Sequence, residues 1–217
     1  MPEAAAGPVP GSVFRFGDSS ASSDNLRAEG AVALRFGLSR KAAAIIVVYG
    51  ATLLLLVPGA RWSINTHEML YAQSAREMVA SGDWMIPTLV GLPRVEKPPL
   101  TSWLIGLAIK LFHQESEWVV RLPSVISAIA AALIIAHFSA RFFGVRTGLL
   151  AGLIQLSSVW VLIVGEEAVP DMLLCATVSG ALCAFAQASV DGPVARDSRL
   201  RLRWLFYVSA GLAFLRG

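Results

Sequence analysis

The apolar residues of this chain come in unbroken blocks, and that constrains its fold more than any single motif. Residues 42–60, 122–140, 147–164, 172–190 and 204–217 are almost free of charge, and a helix needs about 20 such residues to cross a bilayer core. The last block stops at Gly217 and reads as an incomplete span. Over 217 residues, 55% are hydrophobic and 15% charged, where a soluble domain carries about 25% charged residues. An ordinary soluble enzyme, a disordered protein and a disulfide-stapled domain are excluded. The expected class is an all-α polytopic membrane protein with about five spans.

Charge placement sets the expected topology. Residues 1–41 hold Pro2, Pro8, Pro10 and the serine-rich run 19–23 without apolar periodicity, the composition of a disordered tail. Arg35, Arg40 and Lys41 precede the first block. Arg141 and Arg146 mark one short loop, and Arg196, Arg199, Arg201 and Arg203 mark another. Between them, residues 165–171 carry three acids and no Lys or Arg. Positive residues favour the cytoplasmic side, so five spans put the tail and both Arg-rich loops inside. The acidic loop and the long stretch 61–121 then fall outside. Counting Leu100–Phe112 as a sixth span would turn the four-Arg loop outward; with 13 residues and Lys110, it reads as an interfacial helix. Trp62, Trp84, Trp103, Trp118 and Trp204 suit an aromatic belt. Cys175 and Cys183 would lie about 12 Å apart on a helix, too far for a disulfide. No basic stripe interleaved with aromatics suggests nucleic acid.

The long stretch holds the candidate chemistry. Asn65 with Glu68 resembles a capping box, predicting a helix from Thr66 that stops at Gly82. Tyr71, Ala72, Ala75, Met78 and Val79 share one face, which suits a helix lying on the membrane. Pro98 and Pro99 open a second amphipathic helix. In the first helix turn the dipole favours a carboxylate at Glu68 and a neutral ring at His67, able to accept a proton or bind a metal. Lys97 stands before two prolines on extended backbone, a natural partner for a lipid phosphate. Asp171 starts a span directly after Pro170, beside Glu166 and Glu167. The plain alternatives are a helix cap for Glu68, a solvated His67, a headgroup-contacting Lys97 and an ordinary helix-start acid at Asp171. His113 and His137 are weak signals.

The run from His67 through Met78, then Ser81-Gly-Asp-Trp84, Pro87, Gly91, Pro93 and Glu96-Lys-Pro-Pro-Leu100, closely resembles the first outer loop of the GT-C membrane glycosyltransferases. The similar branch contains the lipid A aminoarabinose transferases and the protein O-mannosyltransferases. Arg121-Leu-Pro-Ser124 and Ala168-Val-Pro-Asp171 follow where that branch has its next motifs. The resemblance covers residues 42–217. It implies the N-terminal part of a GT-C helix bundle in a bacterial inner membrane, with the N-terminus cytoplasmic. It also implies transfer of one sugar from a polyprenyl-phosphate carrier to a lipid, glycan or protein acceptor on the outer side. The family's Asp-Glu pair is His67-Glu68 here, and an Arg of the lipid A branch is Leu70. Lys97 matches the family's phosphate-binding Lys, and Asp171 its second-loop acid.

The expected catalytic set is Glu68, Asp171 and His67, with Lys97, Glu96 and Tyr71 for substrate; the metal requirement is open, a divalent ion being the one to test. The piece of sequence in hand is expected to be inactive alone. The rival reading is a transporter or scaffold using the loop for lipid contact. Transporters place ionisable groups near the midplane, whereas here the acids gather outside the spans.

Overall fold

The computed structural model describes residues 37–56, 66–94, 99–190 and 196–216. It is almost wholly helical. Helix α1 (Arg40–Leu56) is followed by α2 (Thr66–Ser81) and a two-stranded hairpin, β1 (Thr88–Leu89) and β2 (Leu92–Pro93). Then come α3 (Leu100–Phe112), α4 (Glu117–Phe143), α5 (Val145–Leu156) and α6 (Val159–Val164). Two long helices close the chain, α7 (Asp171–Val190) and α8 (Arg196–Arg216). Two of the described stretches, Glu117–Phe143 and Asp171–Ser189, are long and apolar enough to cross a membrane.

Local chemistry explains where these elements begin and end. Ser39 caps α1, its hydroxyl accepting the Ala42 N–H at 3.2 Å. The helix therefore starts at Arg40, earlier than the expected tail boundary at residue 41; residues 1–36 lie outside the described residues. Helix α4 begins at Glu117, five residues ahead of the predicted span, with Pro123 carried inside it. The block 147–164, read as one span, is broken. Ser157 donates its hydroxyl to the Leu153 carbonyl at 2.8 Å, and Ser158 turns extended with ψ 132°. The hydroxyl offers the backbone a partner outside the helical ladder, and α6 sets off in a new helix.

The helices pack through two apolar clusters. One joins Ile46 and Leu54 of α1 to Val125, Ala128, Ala132 and Ala136 of α4, with Leu156, Val161 and Met172. Gly148 lets α5 lie against α4, since a Cβ there would stand 2.5 Å from the Ala136 carbonyl oxygen. The second cluster holds Tyr71, Ala72 and Ala75 of α2, Ile105 and Ile109 of α3, and Val119 and Val120 of α4. The apolar face of α2 is thus covered by protein, where the sequence suggested it would rest on lipid. Trp84 and Trp103 pack on each other's surroundings: Trp103 Nε1 donates to the Trp84 carbonyl at 2.7 Å, and the Trp84 ring fills the space above Gly106.

The hairpin is held by one carboxylate. Its turn residues Val90 and Gly91 have φ of 54° and 75°, the left-handed pair that a two-residue hairpin turn requires. Valine is costly there, by about 1–2 kcal/mol. Glu77 of α2 offsets the strain by accepting the Val90 N–H at 2.8 Å and the Gly91 N–H at 3.2 Å. Its oxygens also accept the Thr88 hydroxyl at 2.7 Å and Gln73 Nε2 at 2.9 Å. Successive N–H groups in such a turn form a concave anion seat.

The Thr88 and Gln73 hydrogen bonds, aided by the two backbone N–H groups, lower the Glu77 carboxyl from 4.5 to about 2. A carboxyl depressed in the folded state stabilises above its unfolded pKa and loses that contribution as it becomes protonated. The hairpin's anchorage is therefore expected to be full above pH 4.5 and to fade as the pH falls towards 2. Hydrogen-exchange protection of the Val90 and Gly91 amides, compared at pH 6 and pH 3, reads this directly. Glu77→Gln should show weak protection at both values.

Candidate active site

Glu68 is the organising residue of the region. It stands in the first turn of α2 and is 1% exposed. Arg121 of α4 donates to it twice, Nε to Oε1 at 2.7 Å and a terminal guanidinium nitrogen to Oε2 at 3.1 Å. The backbone N–H of Ala168 donates to Oε1 at 3.1 Å. Bidentate pairing of this kind fixes orientation as well as distance. The carboxylate thus ties together α2, the start of α4 and the turn that precedes α7. Asn65 of the expected capping box lies outside the described residues.

The acidic turn is fixed from a second side. Ser124 donates its hydroxyl to the Val169 carbonyl at 3.2 Å, and Pro170 starts α7 by accepting the Leu174 N–H at 3.0 Å. Asp171, exposed at the first position of α7, is therefore placed three residues beyond the Ala168 contact. Glu68 thus holds the turn that leads into Asp171, although 103 positions separate the two acids. His67 lies exposed next to Glu68 in the same helix turn. Glu96 and Lys97, expected to meet substrate, lie outside the described residues. Tyr71 is 7% exposed and part of the apolar cluster, so its ring faces protein where a substrate contact was expected. Above it stands the Arg94 guanidinium, 4.8 Å from the ring centroid.

Three functional-looking residues escaped the sequence reading. Arg121 was visible within a motif, yet nothing local named Glu68 as its partner 53 residues away. Neither Glu77 nor Arg94 carried a local signal. The Ser81-Gly-Asp-Trp84 motif takes on a physical meaning as a corner. Gly82 has φ 73°, the Ser81 hydroxyl accepts the Asp83 N–H at 3.2 Å, and Asp83 accepts the Met85 N–H at 2.9 Å. Among the described residues no group of three or more His, Cys, Asp or Glu side chains could hold a metal ion.

Residues 96–216 match the family described as dolichyl-phosphate-mannose-protein mannosyltransferase. The chain belongs to this family. Among curated relatives, the undecaprenyl phosphate-alpha-4-amino-4-deoxy-L-arabinose arabinosyl transferase of Aeromonas salmonicida is 32% identical over 155 residues, covering 71% of this chain and 27% of the relative. The enzyme of the same description from Pectobacterium atrosepticum is 31% identical over 172 residues, covering 79% of the chain and 30% of the relative. The chain thus spans less than a third of either one. Among solved structures, ArnT from Cupriavidus metallidurans bound to undecaprenyl phosphate superposes with a TM-score of 0.73 at 24% identity, over 80% of this chain and 32% of that one. Its apo form gives 0.72 at 25% identity, over 88% and 33%. The fold is that of the N-terminal part of a helical GT-C membrane protein, as the sequence implied.

The anchor can be tested by removing one half of it. Arg121→Ala leaves Glu68 buried without its partner and is expected to destabilise the protein by about 3–5 kcal/mol. A thermal unfolding series in detergent would record it. The paired replacement Glu68→Leu with Arg121→Met should recover most of the loss, because no buried charge is then left alone. An unchanged midpoint in Arg121→Ala contradicts the anchoring role.

Proposed function

We propose that this chain is the N-terminal part of a glycosyltransferase that moves one sugar from a polyprenyl-phosphate carrier to a lipid, glycan or protein acceptor. The observation that carries the reading is the convergence at Glu68. One carboxylate draws the His67 helix turn and the Asp171 turn onto the start of α4, in a chain whose curated relatives transfer aminoarabinose from undecaprenyl phosphate.

In this reading α1, α4, the α5–α6 pair, α7 and α8 cross the bacterial inner membrane. The tail, the Arg141–Arg146 turn and the basic first turns of α8, Arg196–Arg203, which the sequence suggested as a loop and the structure makes helical, are cytoplasmic, following the positive-inside rule. The α2–α3 region and the 165–170 turn then share the outer face, and α3 lies along it.

The reaction is a single displacement at the anomeric carbon through an oxocarbenium-like transition state. The acceptor hydroxyl must lose a proton as the bond forms, and the departing phosphate must be met by a cation. Asp171 is the preferred base because it is exposed at the head of α7, with exposed His67 as the second candidate. Glu68 acts as a positioning residue, since Arg121 and the Ala168 N–H already occupy its oxygens. Lys97, with Glu96 beside it, meets the carrier phosphate.

Two measurements test this. In the full-length protein, Asp171→Asn is expected to lower kcat by about 10²–10⁴-fold, the usual worth of general-base catalysis, with the fold intact by thermal unfolding. Lys97→Ala should raise KM for the lipid-linked donor. Full activity in both variants overturns the assignment. The 217-residue piece alone is expected to transfer no sugar, because it supplies less than a third of the length of its relatives; turnover by the purified piece would contradict this.

A further inference from the structure

We infer that the cavity between α4, α7 and α8 holds one acyl chain of an inner-leaflet glycerophospholipid, with Gln187 donating to its ester carbonyl. The inference goes beyond sugar transfer and rests only on the membrane placement given above. The cavity measures about 530 Å³, within the range of small-molecule sites. Leu133 and Ile134 of α4 and Leu202 and Leu205 of α8 give it apolar walls. Ala176, Gly180 and Ala184 follow one another at four-residue steps along one face of α7 and leave the space beside them open.

Its depth matches one leaflet. From Gln187 to Ala176 the helix rises about 16 Å at 1.5 Å per residue, and half of a hydrocarbon core is about 15 Å. Gln187 stands three residues before the end of α7, and His137, which lines the same end, six before the end of α4. That end lies just inside the cytoplasmic interface. At the deep end, a Cβ on Gly180 would stand 3.2 Å from the Ser209 hydroxyl oxygen and 3.7 Å from Ile134 Cδ1.

One polar side chain decides what the cavity takes. Gln187 lines it and is 8% exposed. Among the described residues no group hydrogen-bonds to its amide. The Thr177 hydroxyl is taken by the Leu173 and Leu174 carbonyls at 2.9 and 3.0 Å, and the Ser209 hydroxyl can turn onto a carbonyl of its own helix. The Gln187 amide, with two N–H donors, is left to the cavity. An amide without a partner is costly in hydrocarbon, so the occupant has to bring an acceptor. A bare prenyl chain brings none. The ester of a glycerophospholipid brings one at the depth where Gln187 stands, and its chain runs from there along the apolar walls. Exposed Arg201 and Arg203 lie in the first turns of α8, at the same end of the helices, which favours an anionic headgroup.

The full-length protein is delipidated in detergent and titrated with phosphatidylglycerol, and bound lipid is counted by native mass spectrometry. Wild type is expected to hold one lipid more tightly than the rest. Gly180→Leu, which puts a side chain into the cavity, should lose that lipid. Gln187→Leu should weaken it about fivefold, the worth of one hydrogen bond, with a thermal midpoint no lower than wild type. The ether-linked analogue lacks the ester carbonyls. It should bind wild type as weakly as the ester lipid binds Gln187→Leu, and the variant should not tell the two apart. This comparison stands even if Gly180→Leu fails to fold, and none of the readouts depends on sugar transfer. Equal binding of ester and ether lipid by wild type overturns the role of Gln187. Displacement of the lipid by an equal concentration of undecaprenyl phosphate overturns the phospholipid as occupant in favour of a carrier chain. No tight lipid on wild type, or an undiminished one on folded Gly180→Leu, overturns the cavity as a lipid site.

Discussion

A buried carboxylate cannot be left without donors, and the arrangement of this protein's polar region follows from how Glu68 obtains them. Removing an ion from water costs several kcal/mol even after relaxation. The cost is offset only when the partner geometry is good and the remaining lone pairs are engaged. Arg121 supplies two N–H groups and Ala168 one, and they come from three different parts of the chain. Shifting α2, α4 or the acidic turn alone breaks at least one of these bonds. The pair therefore acts less as a source of stability than as a fixed address for neighbouring groups.

The long loop region uses the same logic at smaller scale. Glu77 accepts four donors and so holds a hairpin whose valine would otherwise relax out of its left-handed conformation. The Ser81-Gly-Asp-Trp84 corner satisfies its own backbone and then locks Trp84 against Gly106 and Trp103. These parts are rigid by design of their hydrogen bonds rather than by bulk, since the apolar cluster beneath them is built largely from alanine, valine and isoleucine.

What could be read from the sequence was whatever depended on neighbours a few residues apart. The start of α2 at Thr66, its stop before Gly82 and both ends of α3 were legible because caps, glycines, prolines and apolar runs are local signals. The membrane class was legible because hydropathy is a sum over one block. The break at Ser157–Ser158 was not, since two serines barely change the mean of a long apolar run while offering the backbone another partner. Tyr71 was placed on the correct face of its helix and given the wrong neighbour, because periodicity tells which residues share a face and not what covers it. The Glu68–Arg121 pair lay beyond reach for the same reason: only the tertiary fold brings those positions together. Of the candidate site, His67, Glu68 and Asp171 were found as residue types, and the scaffold of Arg121, Glu77 and Arg94 was not.

The 100-residue separation between Glu68 and the Ala168 N–H has a consequence in time. Chains are made at about 5–20 residues per second, so Glu68 is synthesised about 5–20 s before its last donor exists. Arg121 arrives roughly half-way through that wait. During the interval α2 cannot bury its carboxylate in the final position, and the region must remain hydrated and only loosely held. Assembly of the site is thus a late event, completed when the turn before α7 emerges and not when the long loop itself has been made.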